Sequence, residues 1–319
     1  RPLARWTRKP AVAGWCAQSG NSACATATAP KEASASPISA HSSGPGAGGG
    51  GGDPAASQPA SAWKPIPAED LLVMDLTGGG RVVLQLAPQF APVHVANIRA
   101  LARSGYWQGA GIYRVQDNYV TQWGNNESEK PWPAGVVPAP PREYERPLKG
   151  LRVKPLGFPD SYAPAAGFAD GWPIGYDPRG GWASLAHCYA MVGVGRGMED
   201  SGTGGELYAI IGHATRHMDR NLALVGRVIE GIERLSALPR GTEALGFYKD
   251  PAQAVPIASI RLASDLPAAE RPAFEVLDTN SPDFARYVQI RGHRDDDFYR
   301  VQASGVDLCG VQVPVRRKG

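Results

Sequence analysis

The stretch GIYRVQDNYVTQWGN, residues 111–125, alternates apolar and polar side chains on both sides of Asp117-Asn118. Alternation with a period of two is typical of a β-strand that buries one face, and the Asp-Asn pair is turn-like. The stretch therefore predicts two strands joined by a turn. Arg114 and Gln122 stand out in these strands, because long polar side chains cost free energy on a buried face unless something requires them.

The preceding sequence predicts a hairpin and a helix. Two apolar runs, LLVMDL (71–76) and RVVLQLA (81–87), flank the segment TGGG, which is a strong hairpin signal. Apolar residues then recur at helical spacing from Pro92, which suits a first helical turn, and the run ends at Gly105. This part of the chain thus supplies two strands and one helix before residue 111.

The following sequence supplies further strands and one short helix. The predicted strands are WASLAHCYAMVGVG (182–195), ELYAIIG (206–212), LALVGRVIEG (222–231) and IASIRLA (257–263). The helix is IERLSALP (232–239). Many antiparallel strands with only two helices predict a mainly β fold, a closed antiparallel β-barrel of about eight strands capped by two helices.

Composition divides the chain into three regions. Residues 1–62 are rich in Ala, Gly, Ser and Pro, which predicts a disordered head and linker. The ordered domain is expected over 63–267, with a structured insertion over 126–181, a stretch rich in Pro and Gly that is too long for an ordinary connection. Residues 268–319 form a C-terminal extension, expected to pack on the barrel, in which a helix begins at Pro282.

Charge and hydropathy exclude two classes of function. The net charge is only +3, and no basic stripe interleaved with aromatic residues occurs in the core, so nucleic acid is not an expected partner. No apolar run approaches the roughly 18 residues of a membrane span. His213 and His217 have i, i+4 spacing, but the carboxylate of a zinc-protease motif is missing. No metal site is predicted.

The chain has four cysteines without any CxxC spacing. Cys16 and Cys24 lie in the predicted head. Cys188 and Cys309 are either a disulfide that staples the tail to the core, which implies an oxidising compartment, or two buried free thiols. The linker-like head and the possible bridge favour the bacterial periplasm, whereas the lack of a visible signal peptide leaves the cytoplasm open.

Three separate blocks resemble one known family. The hairpin with its FAPVHVANI helix, the paired YRV and YVTQWG strands, and LVGRVIEGIERL resemble the cyclophilin-type peptidyl-prolyl cis-trans isomerases over about residues 70–265. The resemblance implies an enzyme that rotates X-Pro peptide bonds of unfolded or exported proteins and so assists folding. Because no covalent bond changes, no nucleophile, metal or other cofactor is expected. The protein is expected to be a monomer.

The same motifs imply the site residues. Arg114 falls on the catalytic arginine of the family, and Gln122 falls on the glutamine that orients the substrate carbonyl. Tyr119 falls on the aromatic floor of the proline pocket. The remaining substrate-binding positions implied by the resemblance are Val120, Ala186, His187, Tyr208, Met218 and Leu222, with Ala186 and His187 on the strand that grips the peptide.

An arginine suits this chemistry. The barrier to amide rotation is about 18–20 kcal/mol because resonance is lost in the twisted state. The prolyl nitrogen then becomes a hydrogen-bond acceptor, which the planar and always charged guanidinium of Arg114 can stabilise. Two alternatives remain open. His217, Met218 and Leu222 depart from the family's aromatic lid, which favours a proline-peptide binding or chaperone module with little catalysis. The other alternative is that Arg114 and Gln122 form a buried structural brace between strands.

Overall fold

The computed structural model describes most of the chain beyond the head. The described residues are 62–125, 130–213, 215–294 and 297–318. The predicted head and linker therefore lie outside the described residues except for Ala62, and so do Cys16 and Cys24. No helix in the described ranges combines the length and the apolar composition needed to cross a bilayer.

The described residues form sixteen strands and three α-helices. In chain order the strands are β1 (Trp63–Pro65), β2 (Leu71–Leu76), β3 (Arg81–Leu86), β4 (Gly111–Val115), β5 (Val120–Gly124), β6 (Arg146–Pro147), β7 (Val153–Pro155), β8 (Ala165–Ala169), β9 (Trp172–Asp177), β10 (Trp182–Leu185), β11 (Met191–Val194), β12 (Leu207–Ile210), β13 (Leu224–Glu230), β14 (Val255–Leu262), β15 (Phe274–Leu277) and β16 (Val315–Arg317). The helices are α1 (Pro92–Arg103), α2 (Ile232–Ser236) and α3 (Pro282–Gly292).

Eight of these strands close into an antiparallel barrel, which confirms the predicted fold class. Their order is β11-β12-β5-β4-β14-β2-β3-β13, and β13 pairs with β11 to complete the ring. Hairpin β2–β3 forms as predicted, since consecutive glycines at 78–80 adopt the positive φ values that its turn requires. Closure leaves no unpaired edge in the barrel.

The two predicted helices cap the barrel interior. Leu72, Met74 and Trp123 are fully buried inside it, and the same apolar cluster contains Leu101 of α1 and Leu235 of α2. Burying each such side chain contributes about 1.5–3 kcal/mol. This packing makes the barrel a rigid support for residues on its outer face.

A second sheet occupies most of the predicted insertion and extends beyond it. Its order is β6-β10-β9-β8-β7, so it reaches Leu185 rather than ending at residue 181. The prediction of one long strand over 182–195 is wrong. The chain turns between β10 and β11, where the Cys188 amide donates to the Ala186 carbonyl at 2.8 Å and Ala190 adopts a left-handed φ of +69°. These turn conformations interrupt the ladder that a continuous strand needs.

The C-terminal region packs on the outer face of the barrel. Strand β15 pairs with β1 and β16 in a three-stranded sheet, and α3 begins at Pro282 with the Ser281 side chain accepting from the Phe284 amide at 3.1 Å. Fully buried Phe284 joins one apolar cluster with Phe168 of the second sheet and Val120 of the barrel. The added segments therefore share a core with the barrel face that carries the quoted stretch.

A disulfide joins Cys188 to Cys309. It connects the turn after β10 to the C-terminal region, across a sequence separation of 121 residues. We expect Cys309→Ser to lower the free energy of unfolding by about 2–5 kcal/mol, because the unfolded chain regains the freedom that the cross-link removes. Urea denaturation without reductant measures this loss, with Cys24→Ser as the control. Equal stability of the oxidised and reduced wild-type proteins would contradict the prediction.

Candidate active site

Arg114 and Gln122 meet on the outer face of the barrel. They are direct partners in the β4–β5 ladder, and the Arg114 Nη1 donates to Gln122 Oε1 at 2.9 Å. A bulge between Ile112 and Arg114 shifts the register there. Ile112 and Trp123 point into the barrel and are fully buried, whereas Arg114 and Gln122 remain partly exposed. Arg114 and Gln122 therefore lie on the outer face of the strands and not on the buried face that the alternating pattern predicts.

The guanidinium of Arg114 is fixed from three directions. Besides Gln122, its Nε donates to the Leu245 carbonyl at 2.6 Å and its Nη2 donates to Gln116 Oε1 at 2.7 Å. An arginine has five N–H donors, so these three bonds leave two for another acceptor. The charged group also lies 5.7 Å from the ring centroid of Tyr119 and 5.5 Å from that of Phe247. Burial lowers the pKa of Arg114, which still stays charged at neutral pH.

The segment after α2 supplies two of these contacts, which the sequence analysis did not predict. Gly241 N donates to the Val115 carbonyl at 2.9 Å, and Tyr248 N donates to the Tyr113 carbonyl at 3.1 Å. The segment thus runs beside β4 and brings Phe247 opposite Arg114. Leu245 adopts a left-handed φ of +60°, which aims its carbonyl at the arginine. All of these contacts join residues that are more than 100 positions apart in the sequence.

Two further residues orient the amide of Gln122. Its Nε2 donates to the Tyr113 hydroxyl at 2.7 Å, and that hydroxyl donates to Glu206 Oε2 at 2.6 Å. Burial raises the pKa of Tyr113, with the Glu206 charge as a second cause, so the phenol remains protonated. Gln122 is thereby held with its oxygen towards Arg114 and one amide hydrogen unused by these bonds.

Tyr208 extends the same outer row. In the ladders Gln122 pairs with Tyr208, and Tyr208 pairs with Gly193 of β11. The Tyr208 side chain crosses β11 directly over Gly193, because a Cβ atom there would lie 2.3 Å from the Tyr208 hydroxyl oxygen. Glycine is therefore required at 193 for this placement of the ring.

The structure brings most of the expected pocket residues together. Val120 and Met218 are 2% and 6% exposed, and both belong to the apolar cluster that contains Tyr208. The Tyr119 hydroxyl contacts Met218 Sδ at 2.8 Å. Leu222 packs at the margin of that cluster and lines a small cavity on the side of Phe90 and Leu185.

The predicted strand position of Ala186 and His187 is wrong. The strand that pairs with Tyr208 is β11, and its continuation brings Gly195 beside Gln122, where a Cβ atom would lie 3.0 Å from Nε2. Ala186 and His187 precede β11 in the turn described above, and they are 0% and 1% exposed. The loop between 195 and 206 differs in length from the family pattern, so motif spacing alone misplaced these residues by several positions.

His187 instead lies behind Tyr208 in a buried polar cluster. Its backbone N and its Nδ1 contact Asp219 Oδ1 at 2.8 Å and 2.9 Å, and its Nε2 lies 3.1 Å from the Tyr208 hydroxyl. Arg216 donates to Asp219 Oδ2 at 2.7 Å and to both carboxylate oxygens of Asp160 at 2.5 Å and 3.0 Å. The cluster thus links Asp160 of the inserted segment to the Tyr208 ring.

This cluster makes stability depend on pH. Burial lowers the pKa of His187 below its ordinary 6.5, against the opposing effect of Asp219. Below that pH the folded state therefore binds fewer protons than the unfolded state. The contribution of His187 to stability is fully present above pH 6.5 and is lost as the pH decreases. We expect the free energy of unfolding, measured in urea, to decrease between pH 6.5 and the ordinary Asp value of 3.8. A His187→Asn variant with the same slope would contradict this assignment.

The chain matches a known protein family and several curated proteins. Residues 71–262 match the family described as cyclophilin type peptidyl-prolyl cis-trans isomerase/CLD. A "Probable peptidyl-prolyl cis-trans isomerase" of Brucella suis biovar 1 is 39% identical over 70 residues, which are 22% of this chain and 34% of that protein. Its counterpart in Brucella abortus strain 2308 is 37% identical over 70 residues, with the same coverage. The chain thus spans about a third of the length of these curated relatives.

A solved structure supports the fold. The crystal structure of cyclophilin AquaCyp293 from Hirschia baltica superposes with a TM-score of 0.60 at 23% identity, covering 76% of this chain and 92% of that one. This likeness shows that the eight-stranded barrel has the cyclophilin fold. Since the family match covers more than half of the chain, the protein belongs to the cyclophilin-type peptidyl-prolyl cis-trans isomerase family.

Proposed function

We propose that this protein catalyses the cis-trans isomerisation of X-Pro bonds in unfolded or exported chains. The observation that carries the proposal is the fixed guanidinium of Arg114, which retains two N–H donors beside Gln122. A donor held in advance favours the twisted amide, whose prolyl nitrogen accepts a hydrogen bond, over either planar form. No covalent step is needed, so positioning and electrostatics are sufficient.

Gln122 completes the polar part of the proposed mechanism. Its oxygen braces Arg114, and one of its two amide hydrogens is bonded to Tyr113. The second hydrogen is available for the carbonyl that precedes the proline, which holds one side of the amide while the other rotates.

The proline ring is assigned to the apolar residues around Tyr119. Val120, Tyr208 and Met218 belong to the cluster on which Tyr119 packs, and they are almost completely covered. A prolyl ring reaches them by displacing Met218, whose unbranched side chain adapts easily. Leu222 lies at the edge of this surface, so we assign it a weaker role.

The covered pocket favours a second candidate function. If displacement of Met218 is costly, the barrel binds proline-containing peptides, as a chaperone module does, with little turnover. Two-dimensional exchange NMR on a short X-Pro peptide separates the two. Accelerated cis-trans exchange at catalytic protein concentration supports the isomerase. Chemical-shift changes without acceleration support the binding module.

The domain limits and the compartment belong to the same proposal. We assign the isomerase domain to 63–267, the insertion to about 126–181 and the extension to 268–319. The family match ends at residue 262, which supports the boundary between the domain and the extension. The Cys188–Cys309 disulfide favours an oxidising compartment such as the periplasm. We assign the protein as a monomer. Counting free thiols in protein isolated from cells tests the compartment.

A further inference from the structure

A buried charged cluster without a role in amide rotation lies directly behind the proposed proline pocket. The side chains of Asp160, His187, Arg216 and Asp219 are 1%, 1%, 4% and 9% exposed. Burying such groups is costly unless each is paired, and in some proteins a buried polar group fixes one arrangement of its neighbours. Here the hydrogen bonds form one chain, and its end is the Tyr208 hydroxyl.

The chain of contacts fixes the tautomer of His187. Asp219 Oδ1 accepts from the backbone N and is 2.9 Å from Nδ1, which requires the ring proton on Nδ1. The Nε2 atom of the neutral ring is then an acceptor, and Tyr208 donates its hydroxyl hydrogen to it. Against the effect of burial, the hydrogen bond from His187 and the Arg216 charge hold the pKa of Asp219 below its usual range, so this carboxylate stays ionised.

Tethering determines where the Tyr208 ring lies. Gly193 leaves room for the ring, and without the bond at its hydroxyl only its neighbours in the apolar cluster would confine it. With the bond, the ring is held at both ends, by its strand and by His187. Tyr208 is also the ladder partner of Gln122, so its position sets the distance between the ring and the polar part of the site.

We propose that His187 is a positioning residue for substrate, which holds the Tyr208 ring as a fixed wall of the proline pocket, and that Asp219, Arg216 and Asp160 hold His187 in turn. The role in substrate binding rests on the proposed function. Through Asp160 the inserted segment reaches the pocket without touching substrate. The inserted segment thereby becomes a determinant of which prolyl peptides fit.

Two substitutions of His187 separate its two contacts. In His187→Asn the side-chain amide replaces Nδ1 and keeps the Asp219 bond, but no atom reaches Tyr208. In His187→Gln the longer amide reaches the Nε2 position and can accept from Tyr208. We expect His187→Asn to weaken binding of an X-Pro peptide about tenfold, equivalent to about 1.4 kcal/mol, and His187→Gln to restore part of it.

Two further variants complete the test. Tyr208→Phe should match His187→Asn, and the double variant should add nothing, because both remove one bond. Thr215→Val removes the hydroxyl that donates to the His187 carbonyl at 2.5 Å and leaves the ring in place. It should lower stability without changing peptide affinity. Wild-type affinity in His187→Asn, additive effects in the double variant, or the same affinity loss in Thr215→Val would overturn the proposal.

A spectroscopic readout separates this inference from the proposed function. Nitrogen-15 NMR of the histidine rings should show His187 with Nδ1 protonated and with an Nε2 signal that shifts in Tyr208→Phe. A protonated Nε2 could not accept a hydrogen bond from the Tyr208 hydroxyl, so this result would overturn the proposed tether whatever the isomerase activity. If the tether is present and peptide binding responds as expected but exchange is not accelerated, the isomerase proposal fails and the positioning role stands. A wild-type protein that binds no X-Pro peptide overturns both.

Discussion

Replacing Arg114 by alanine is expected to lower the rate of X-Pro exchange about 10²- to 10³-fold, the usual effect of removing one preorganised transition-state donor. The loss should appear in the catalysed rate rather than in peptide affinity, because the twisted amide gains from the guanidinium more than the planar amide does. The measurement is exchange NMR at saturating peptide, with affinity determined separately by titration.

Two control variants sharpen this prediction. Arg114→Lys keeps the charge but loses the planar donor geometry that bonds Leu245, Gln116 and Gln122, so it should recover little activity. Arg103→Ala removes an arginine of α1 that pairs with Asp265 and is 55% exposed, so it should leave the rate unchanged. An Arg114→Ala variant with more than half of the wild-type rate would refute the assigned role.

Replacing Arg216 by methionine is expected to lower the free energy of unfolding by about 3–5 kcal/mol. The side chain of similar length fills the space, but the carboxylates of Asp160 and Asp219 lose their cation while they stay buried. An uncompensated buried charge costs far more than an exposed one. Urea denaturation at neutral pH measures the change. The difference from the wild type should shrink at lower pH, because Asp219 becomes protonated more readily once the Arg216 charge is gone.

The matched control is four residues away. Arg220 pairs with Glu145 at 2.6 Å, but the two side chains are 44% and 43% exposed. Arg220→Met should therefore cost about 1 kcal/mol or less. Equal losses in the two variants would mean that burial does not distinguish these ion pairs, and the role given to the Asp160 link would fall with that result.

The barrel was predictable because its signals are local. Strands β2 and β3 carry continuous apolar runs around a glycine turn, and α1 has helical spacing that begins at Pro92. The second sheet was not, because its five strands are two to six residues long and rich in Gly, Ala and Pro. Such strands acquire their structure from the apolar cluster that they cover, which no short window of sequence reveals.

The site divides in the same way. Arg114, Tyr119 and Gln122 lie within nine residues of one another, so the motif located them together, and the structure places them in contact. Some of the residues that hold them, such as Gln116, lie in the same stretch, and others come from distant segments. Leu245 offers a backbone carbonyl, which any residue type possesses, so the sequence carries no signal for it. The motif assigned His187 to the wrong strand position, because the loop between 195 and 206 differs in length from the family pattern.

Pairing of β1 with β15 has a consequence for the order in which the protein can be completed during synthesis. Trp63 finds its partner Leu277 only after the whole barrel has been translated, and the Arg316 guanidinium that covers its ring at 4.1 Å arrives later still. Until then the apolar side chains of Trp63 and Ile66 have no sheet to join. A nascent chain halted before Phe274 therefore leaves these apolar side chains uncovered, the condition in which incompletely folded chains aggregate.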